Sequence, residues 1–226
     1  MNFYILLLIT ILFFTAFTFA RRLNDNFVLI AVAIGCACNA NYYTPLNMPI
    51  VLGPITFGID SLLYTLFIFT IVIKALKDSV KSAKIMTITA VVAIMISGII
   101  EFSANISFNG GFKMEYLLSL GKYAFSVIGT LLGVWLMLLI YDKGLKNVKH
   151  HVSYLTIFIG ITVACLLNAN IYYAFVVVIE GGIRDNSLSI LLGNYIGKLF
   201  CILLAMLSYF VYDKLFNKQK EEVNNG

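Results

Sequence analysis

Long apolar runs separated by short polar segments dominate the chain. A bilayer core of ~30 Å requires about 20 apolar residues in a helix, so these runs have the length of membrane spans. Backbone polar groups in lipid must hydrogen-bond within the protein, which favours helices. The pattern predicts seven transmembrane helices, at about 3–20, 27–42, 55–76, 85–104, 114–141, 153–179 and 188–212.

Composition supports an all-α integral membrane protein. Of the 226 residues, 61% are hydrophobic and 12% are charged, against about 45–50% and about 25% in soluble domains. Residues 1–213 are expected to form one transmembrane domain, without a soluble receptor, kinase or cyclase module. No sequence signature of a hydrolase, protease or nucleotide-binding enzyme is present, so we expect no catalytic activity. Transport would then depend on a gradient, on facilitation or on an energising partner subunit.

The basic residues predict the orientation, because cytoplasmic loops are enriched in Lys and Arg. Lys113 and Arg184 are the basic residues of one set of predicted loops. The opposite set and the tail hold twelve of the sixteen basic residues: Arg21, Arg22, Lys74, Lys77, Lys81, Lys84, Lys143, Lys146, Lys149, Lys214, Lys218 and Lys220. This asymmetry predicts an inner-membrane protein with its N-terminus outside and its tail, 214–226, in the cytoplasm.

Two similar segments suggest an internal repeat. "ACNANYY" (37–43) and "ACLLNANIYY" (164–173) each lie at the predicted outer end of a helix that runs outwards. They are in the second and sixth predicted helices, which favours a parallel repeat of three plus one plus three helices, a plan related to that of some transporters. Asparagines in an apolar bundle need hydrogen-bond partners, from each other or from a ligand.

An ionisable residue within the last predicted helix indicates a solute pathway. Lys198 lies about ten residues into that span, where a charge costs at least ~2.5–3.5 kcal/mol and normally faces the bundle interior. Asn194 is one helical turn away on the same face. Asp60 and Glu101 are the carboxylates expected to pair with Lys198 or to carry a coupled proton. A purely structural ion pair is the alternative.

The predicted substrate site is a polar pocket in the outer half of the bundle. Asparagine amides offer both donors and acceptors, as recognition of a flat heterocycle or a sugar requires. The four cysteines, Cys36, Cys38, Cys165 and Cys201, are interpreted as small buried apolar residues, and neither a metal nor a cofactor is predicted. The predicted substrate-binding residues are Asn39, Asn41, Asp60, Glu101, Asn168, Asn170, Asn194 and Lys198.

Three segments resemble the vitamin-uptake-transporter family, which is associated with queuosine precursors. They are "ARRLNDNFVLIAVAIGCACNAN", "VLGPITFGIDSLLYTLF" and "LGNYIGKLFCILLAMLSYFVYDKL", the last with its embedded lysine. The resemblance implies uptake of 7-deazaguanine bases. The family usually carries an acidic pair followed by Tyr-Gly after the third helix, where this chain reads "FIFTIVIKALKDS".

The sequence therefore favours a multi-pass transporter that takes up a small polar or aromatic metabolite, with a queuosine precursor as one candidate. Its expected partners are the lipid bilayer and this small molecule, not nucleic acid, with a homodimer or an energising subunit left open. The alternatives are a membrane sensor or assembly subunit without transport activity, and the substrate-binding subunit of a multi-component vitamin importer.

Overall fold

A computed structural model describes residues 26–43, 49–52, 55–147, 154–179, 192–207 and 210. The predicted first span, 3–20, and the tail, 214–226, lie outside the described residues. Six helices and one short hairpin form the described part: α1 (Asn26–Tyr43), β1 (Pro49–Leu52), β2 (Ile55–Gly58), α2 (Ile59–Lys77), α3 (Val80–Phe108), α4 (Met114–Asn147), α5 (Tyr154–Ile179) and α6 (Leu192–Leu207).

The chain is a helical, multi-pass membrane protein. Within the described residues, four helices, α2 to α5, are long and apolar enough to cross a membrane. Two shorter apolar stretches, Leu29–Ala40 in α1 and Leu192–Leu207 in α6, complete the set. Each of the six helices overlaps one predicted span. Seven spans and the repeat remain predictions.

The start of the third predicted span is wrong, because a β-hairpin forms there. Ile55–Gly58 pairs antiparallel with Pro49–Leu52, and α2 begins only at Ile59. Both strands are short and rich in β-branched residues, which favour extended backbone. Hydropathy does not separate such a strand from the first turn of an apolar helix.

The junction between α2 and α3 is shorter than predicted and is built from charged and capping side chains. α3 begins at Val80, because the Ser79 hydroxyl accepts a hydrogen bond from the Ser82 backbone N–H and caps the helix. Lys74, which the sequence places in a loop, is instead buried within α2 and pairs with Asp78 four residues later. The two charged side chains of this ion pair lie at the C-terminal end of α2.

α2 is the central helix of the described bundle. In its apolar span 78% of the residues are buried, against 33% in α3. α4 and α5 pack backbone to backbone, because Gly129 and Gly133 face Asn168 and Ala164 of α5. Small residues allow such close approach of helices in lipid. The arrangement brings α2, α4, α5 and α6 around one polar cavity.

Candidate functional site

A small polar cavity lies near the end of the bundle that carries the hairpin. Its volume is about 30 Å³, room for roughly two water molecules. Five helices contribute to its wall. The lining residues are Ala40, Asp60, Tyr64, Ser126, Asn168, Ala169, Tyr172, Asn194 and Lys198. Four of the eight predicted site residues, Asp60, Asn168, Asn194 and Lys198, are therefore brought together.

Lys198 supplies a buried positive charge to this cavity. Its side chain, on α6, is only 4% exposed. The ammonium donates to the backbone oxygen of Cys165 and to Oδ1 of Asn168, at 3.4 Å each. It also lies 5.1 Å from the centre of the Tyr64 ring, within the range of a cation–π interaction. Three helices thus hold the lysine in place.

Asn168 is the polar centre of α5. Its amide nitrogen donates to the backbone oxygen of Ser126 at 3.3 Å and to the Thr130 hydroxyl at 3.4 Å, both on α4. Its oxygen accepts from Lys198. The close approach of Gly129 to Asn168 allows these contacts, because a Cβ there would lie 3.1 Å from the amide nitrogen. Asn168 thereby connects α4 to α6.

Asn194 and Ser61 connect α6 to α2. The Ser61 hydroxyl donates to Oδ1 of Asn194 at 2.8 Å. Asn194 can still offer a ligand the two donors of its NH₂ group and the second lone pair of Oδ1. Ser61 was not predicted from the sequence, although it follows Asp60 directly and Thr65 continues the same polar stripe.

Asp60 supplies the negative charge of the cavity wall. It lies in the first turn of α2, where the helix dipole stabilises a carboxylate. Its charge also interacts with that of Lys198. A Cβ on Gly58 would come 1.9 Å from Oδ1 of Asp60, so the carboxylate folds back over the start of the helix. The glycine before α2 therefore leaves the space that this carboxylate occupies.

Tyr64 is the main cavity residue that sequence reasoning missed. It is four residues after Asp60 and hence on the same face of α2. Its hydroxyl is buried near Thr130, but within the described part of the chain it makes no hydrogen bond of normal length and angle. The i, i+4 spacing from Asp60 was the available signal. Tyr172, also a wall residue, was considered only as one of several tyrosines near the asparagines.

Two predicted asparagines are placed elsewhere. The amide nitrogen of Asn39 donates to the Gly35 oxygen at 2.8 Å, and that of Asn170 donates to the Leu166 oxygen at 2.9 Å. Both bonds run one turn back along the same helix, so these exposed side chains do not line the cavity. Asn170 also accepts a hydrogen bond from Tyr195. The side chain of Asn41 lies outside the described residues.

Glu101 forms a separate cluster between α3 and α4 and does not line the cavity around Lys198. It is half-buried and accepts from the Tyr123 hydroxyl at 2.5 Å and from the Ser119 hydroxyl at 3.5 Å. Gly98, about one turn earlier, leaves room for the Tyr123 ring, since a Cβ on this glycine would lie 3.0 Å from the ring. The carboxylate is thus satisfied by hydroxyl groups away from Lys198.

Cysteine chemistry plays no visible part in this cavity. Cys165 and Cys201 are buried, while Cys36 and Cys38 are half-buried, and all four are free thiols. Across the described residues, no group of three His, Cys, Asp or Glu side chains is arranged to hold a metal ion. The cavity wall offers hydrogen-bonding groups and two side chains of opposite charge, Asp60 and Lys198.

No protein-family model matches the chain, and neither a curated protein nor a solved structure matches it.

Proposed function

We propose that this protein is an inner-membrane transporter that takes up a small polar metabolite through the cavity around Lys198. The observation that carries the proposal is the buried ammonium in a cavity wall built from five helices. A charge in this environment is costly unless it faces a pathway or a firm counter-charge. Polar groups from α2, α4, α5 and α6 converge on the same space, as solute binding requires.

The small size of the cavity means that transport would require a change in the packing of the helices. Its volume of about 30 Å³ is roughly a tenth of the smallest usual ligand pockets. A metabolite would therefore enter only after α2 separates from α6, across the contact at which Ser61 and Asn194 form a hydrogen bond. In the predicted orientation, with the N-terminus outside and the C-terminus in the cytoplasm, the cavity is nearer the outer surface. The resemblance noted above makes 7-deazaguanine bases the first solutes to assay.

The same small volume favours two alternative functions. One is a sensor that binds its ligand without transporting it, and the other is an importer subunit that needs a partner subunit to transport its ligand. A reconstituted system separates these functions. Purified protein in lipid vesicles would be exposed to a mixture of polar metabolites that includes 7-deazaguanine bases, and the vesicle contents would be analysed by mass spectrometry. We expect at least one solute to accumulate beyond the level in protein-free vesicles.

Lys198→Met is the test variant, because methionine is unbranched and only one heavy atom shorter than lysine and removes its charge. Lys113→Met is the matched control, since Lys113 is exposed in the short α3–α4 connection. Accumulation that is lost in Lys198→Met and retained in Lys113→Met supports transport through the cavity. Equal accumulation in both variants contradicts it. Accumulation that requires a second membrane component identifies an importer subunit.

A further inference from the structure

The Lys198 ammonium makes few hydrogen bonds for a buried charge, and these bonds are long. In the described part of the chain, its hydrogen-bond acceptors are two neutral oxygens, on Cys165 and Asn168, at 3.4 Å each. Hydrogen bonds from nitrogen to oxygen are normally 2.7–3.2 Å long, and an ammonium has three donors. The positive charge therefore retains much of its capacity to bind an acceptor in the cavity.

Asp60 also lies in the cavity wall, but its carboxylate is not one of the two hydrogen-bond acceptors of the Lys198 ammonium. The carboxylate folds over Gly58 in the first turn of α2, and the helix N-terminus shares in its stabilisation. Its interaction with Lys198 is electrostatic. An acceptor that enters the cavity would thus meet an ammonium whose nearest oxygens are uncharged.

Tyr64 brings a second hydroxyl donor to the wall. This hydroxyl is buried near Thr130 but makes no hydrogen bond of normal length and angle among the described residues, while the Tyr64 ring faces Lys198. Buried polar groups without partners are rare in native structures and call for a specific explanation. A ligand oxygen or a halide that accepts from both Tyr64 and Lys198 provides one, and the NH₂ group of Asn194 adds a further donor.

We propose that the cavity binds a small anionic group, either the carboxylate of a solute or a free halide ion, between Lys198 and Tyr64. The inference rests on the proposed function and names the chemical class of its substrate. Ammonium, phenol hydroxyl and amide NH₂ are all donors. The volume of about 30 Å³ suits the anionic group alone, and the rest of a larger solute would be admitted only after the helices separate.

Acetate and acetamide test this selectivity, because they have the same shape and differ in charge. Binding to the purified full-length chain would be measured by saturation-transfer NMR. We expect acetate to bind and acetamide not to bind. Lys198→Met should weaken acetate binding by about 10- to 100-fold, the effect of losing one charged hydrogen bond. Lys113→Met should leave it unchanged.

Tyr64→Phe keeps the test valid if Lys198→Met fails to fold. This variant removes one hydroxyl without changing the ring, and we expect acetate binding to weaken by about threefold to tenfold. Acetate binding that survives both substitutions, or acetamide binding equal to that of acetate, would overturn the inference.

Two further measurements identify the source of the anionic group and separate the anion-site proposal from the transport proposal. Chloride that displaces acetate and itself crosses vesicle membranes would indicate a free halide, whereas flux of carboxylates without chloride flux would indicate a solute carboxylate. Acetate binding that depends on Lys198 in vesicles that move no solute would refute the transport proposal and retain the anion site. Solute flux that acetate does not slow would refute the anion site and retain transport.

Discussion

Two buried tyrosines allow a direct comparison between a hydroxyl without a hydrogen bond of normal geometry and a hydroxyl that makes one. Tyr64 is 5% exposed and Tyr141 is 0% exposed. The Tyr141 hydroxyl donates to the backbone oxygen of Ile157 at 2.9 Å, whereas that of Tyr64 makes no such bond in the described part of the chain. Phenylalanine in either position removes only the hydroxyl, so the two substitutions differ mainly in whether a hydrogen bond is lost.

The expected changes in stability are different in size and direction. A buried intramolecular hydrogen bond contributes ~0.5–1.5 kcal/mol, and an unsatisfied buried polar group costs ~1–3 kcal/mol. Tyr141→Phe should therefore lower the free energy of unfolding by about 1 kcal/mol. Tyr64→Phe should leave it unchanged or raise it by about 1 kcal/mol. In a protein of this size, 1 kcal/mol corresponds to a Tm shift of about 2–4 °C.

Thermal unfolding in the same detergent provides the assay, with the fluorescence of Trp135, the single tryptophan, as the signal. We expect the Tm to rank Tyr64→Phe at or above the unsubstituted protein and Tyr141→Phe below it. Tyr64→Phe should at the same time weaken acetate binding. A Tm for Tyr64→Phe as low as that for Tyr141→Phe would refute the reasoning, because the Tyr64 hydroxyl would then be a stabilising donor.

Two glycines give further predictions. Gly133→Ala should lower the free energy of unfolding by ~1–3 kcal/mol, because its Cβ would lie 2.7 Å from the Ala164 oxygen and push α4 and α5 apart. Gly35→Ala should raise the free energy of unfolding by up to ~1 kcal/mol, since its Cβ would have no atom within 4 Å. Equal Tm values for the two variants would contradict this packing. Gly58→Ala should preserve the fold, since φ −75° and ψ 149° suit alanine. It should reduce solute flux by about tenfold, or ~1.4 kcal/mol, because the Asp60 carboxylate must move. Unchanged flux into vesicles would show that transport does not depend on the position of the Asp60 carboxylate.

The amino-acid pattern predicted the membrane character and part of the cavity for clear physical reasons. Apolar length identifies spans whatever their packing, and the cost of burying a charge makes Lys198 visible in the sequence alone. Asn194 followed from helical spacing, since it is four residues before Lys198. Asn168 is central to the cavity, as expected for an amide in an apolar helix.

Most of the differences between the predicted and the observed site arise because the sequence does not show which side of each helix faces the cavity. Asn39 and Asn168 occupy matching positions in the two similar segments, yet Asn39 bonds to its own helix and Asn168 reaches α4 and α6. An exposed asparagine can satisfy its amide one turn back, which a sequence pattern does not reveal. Glu101 was misplaced because proximity between α3 and α6 was assumed, whereas its partners lie on α4.

The hairpin was missed because both of its strands are apolar and continuous with α2. "PIVLGPITFG" combines β-branched residues with a central Gly-Pro, which is a hairpin signal, but hydropathy alone merges it with the helix that follows. The error matters for the site, because Gly58 ends β2 and positions Asp60. Backbone geometry, rather than apolar length, decides where that carboxylate lies.

In the proposed transport function, solute passes through the cavity when α2 separates from α6. Ser61 and Asn194 hydrogen-bond across this contact, so cysteines in these two positions, in a background without the four native cysteines, can be joined by a short bifunctional thiol reagent. Solute flux into vesicles would be measured before cross-linking, after it and after cleavage of the linker. The account predicts that flux is lost on cross-linking and returns on cleavage. Flux that continues through fully cross-linked protein would contradict it.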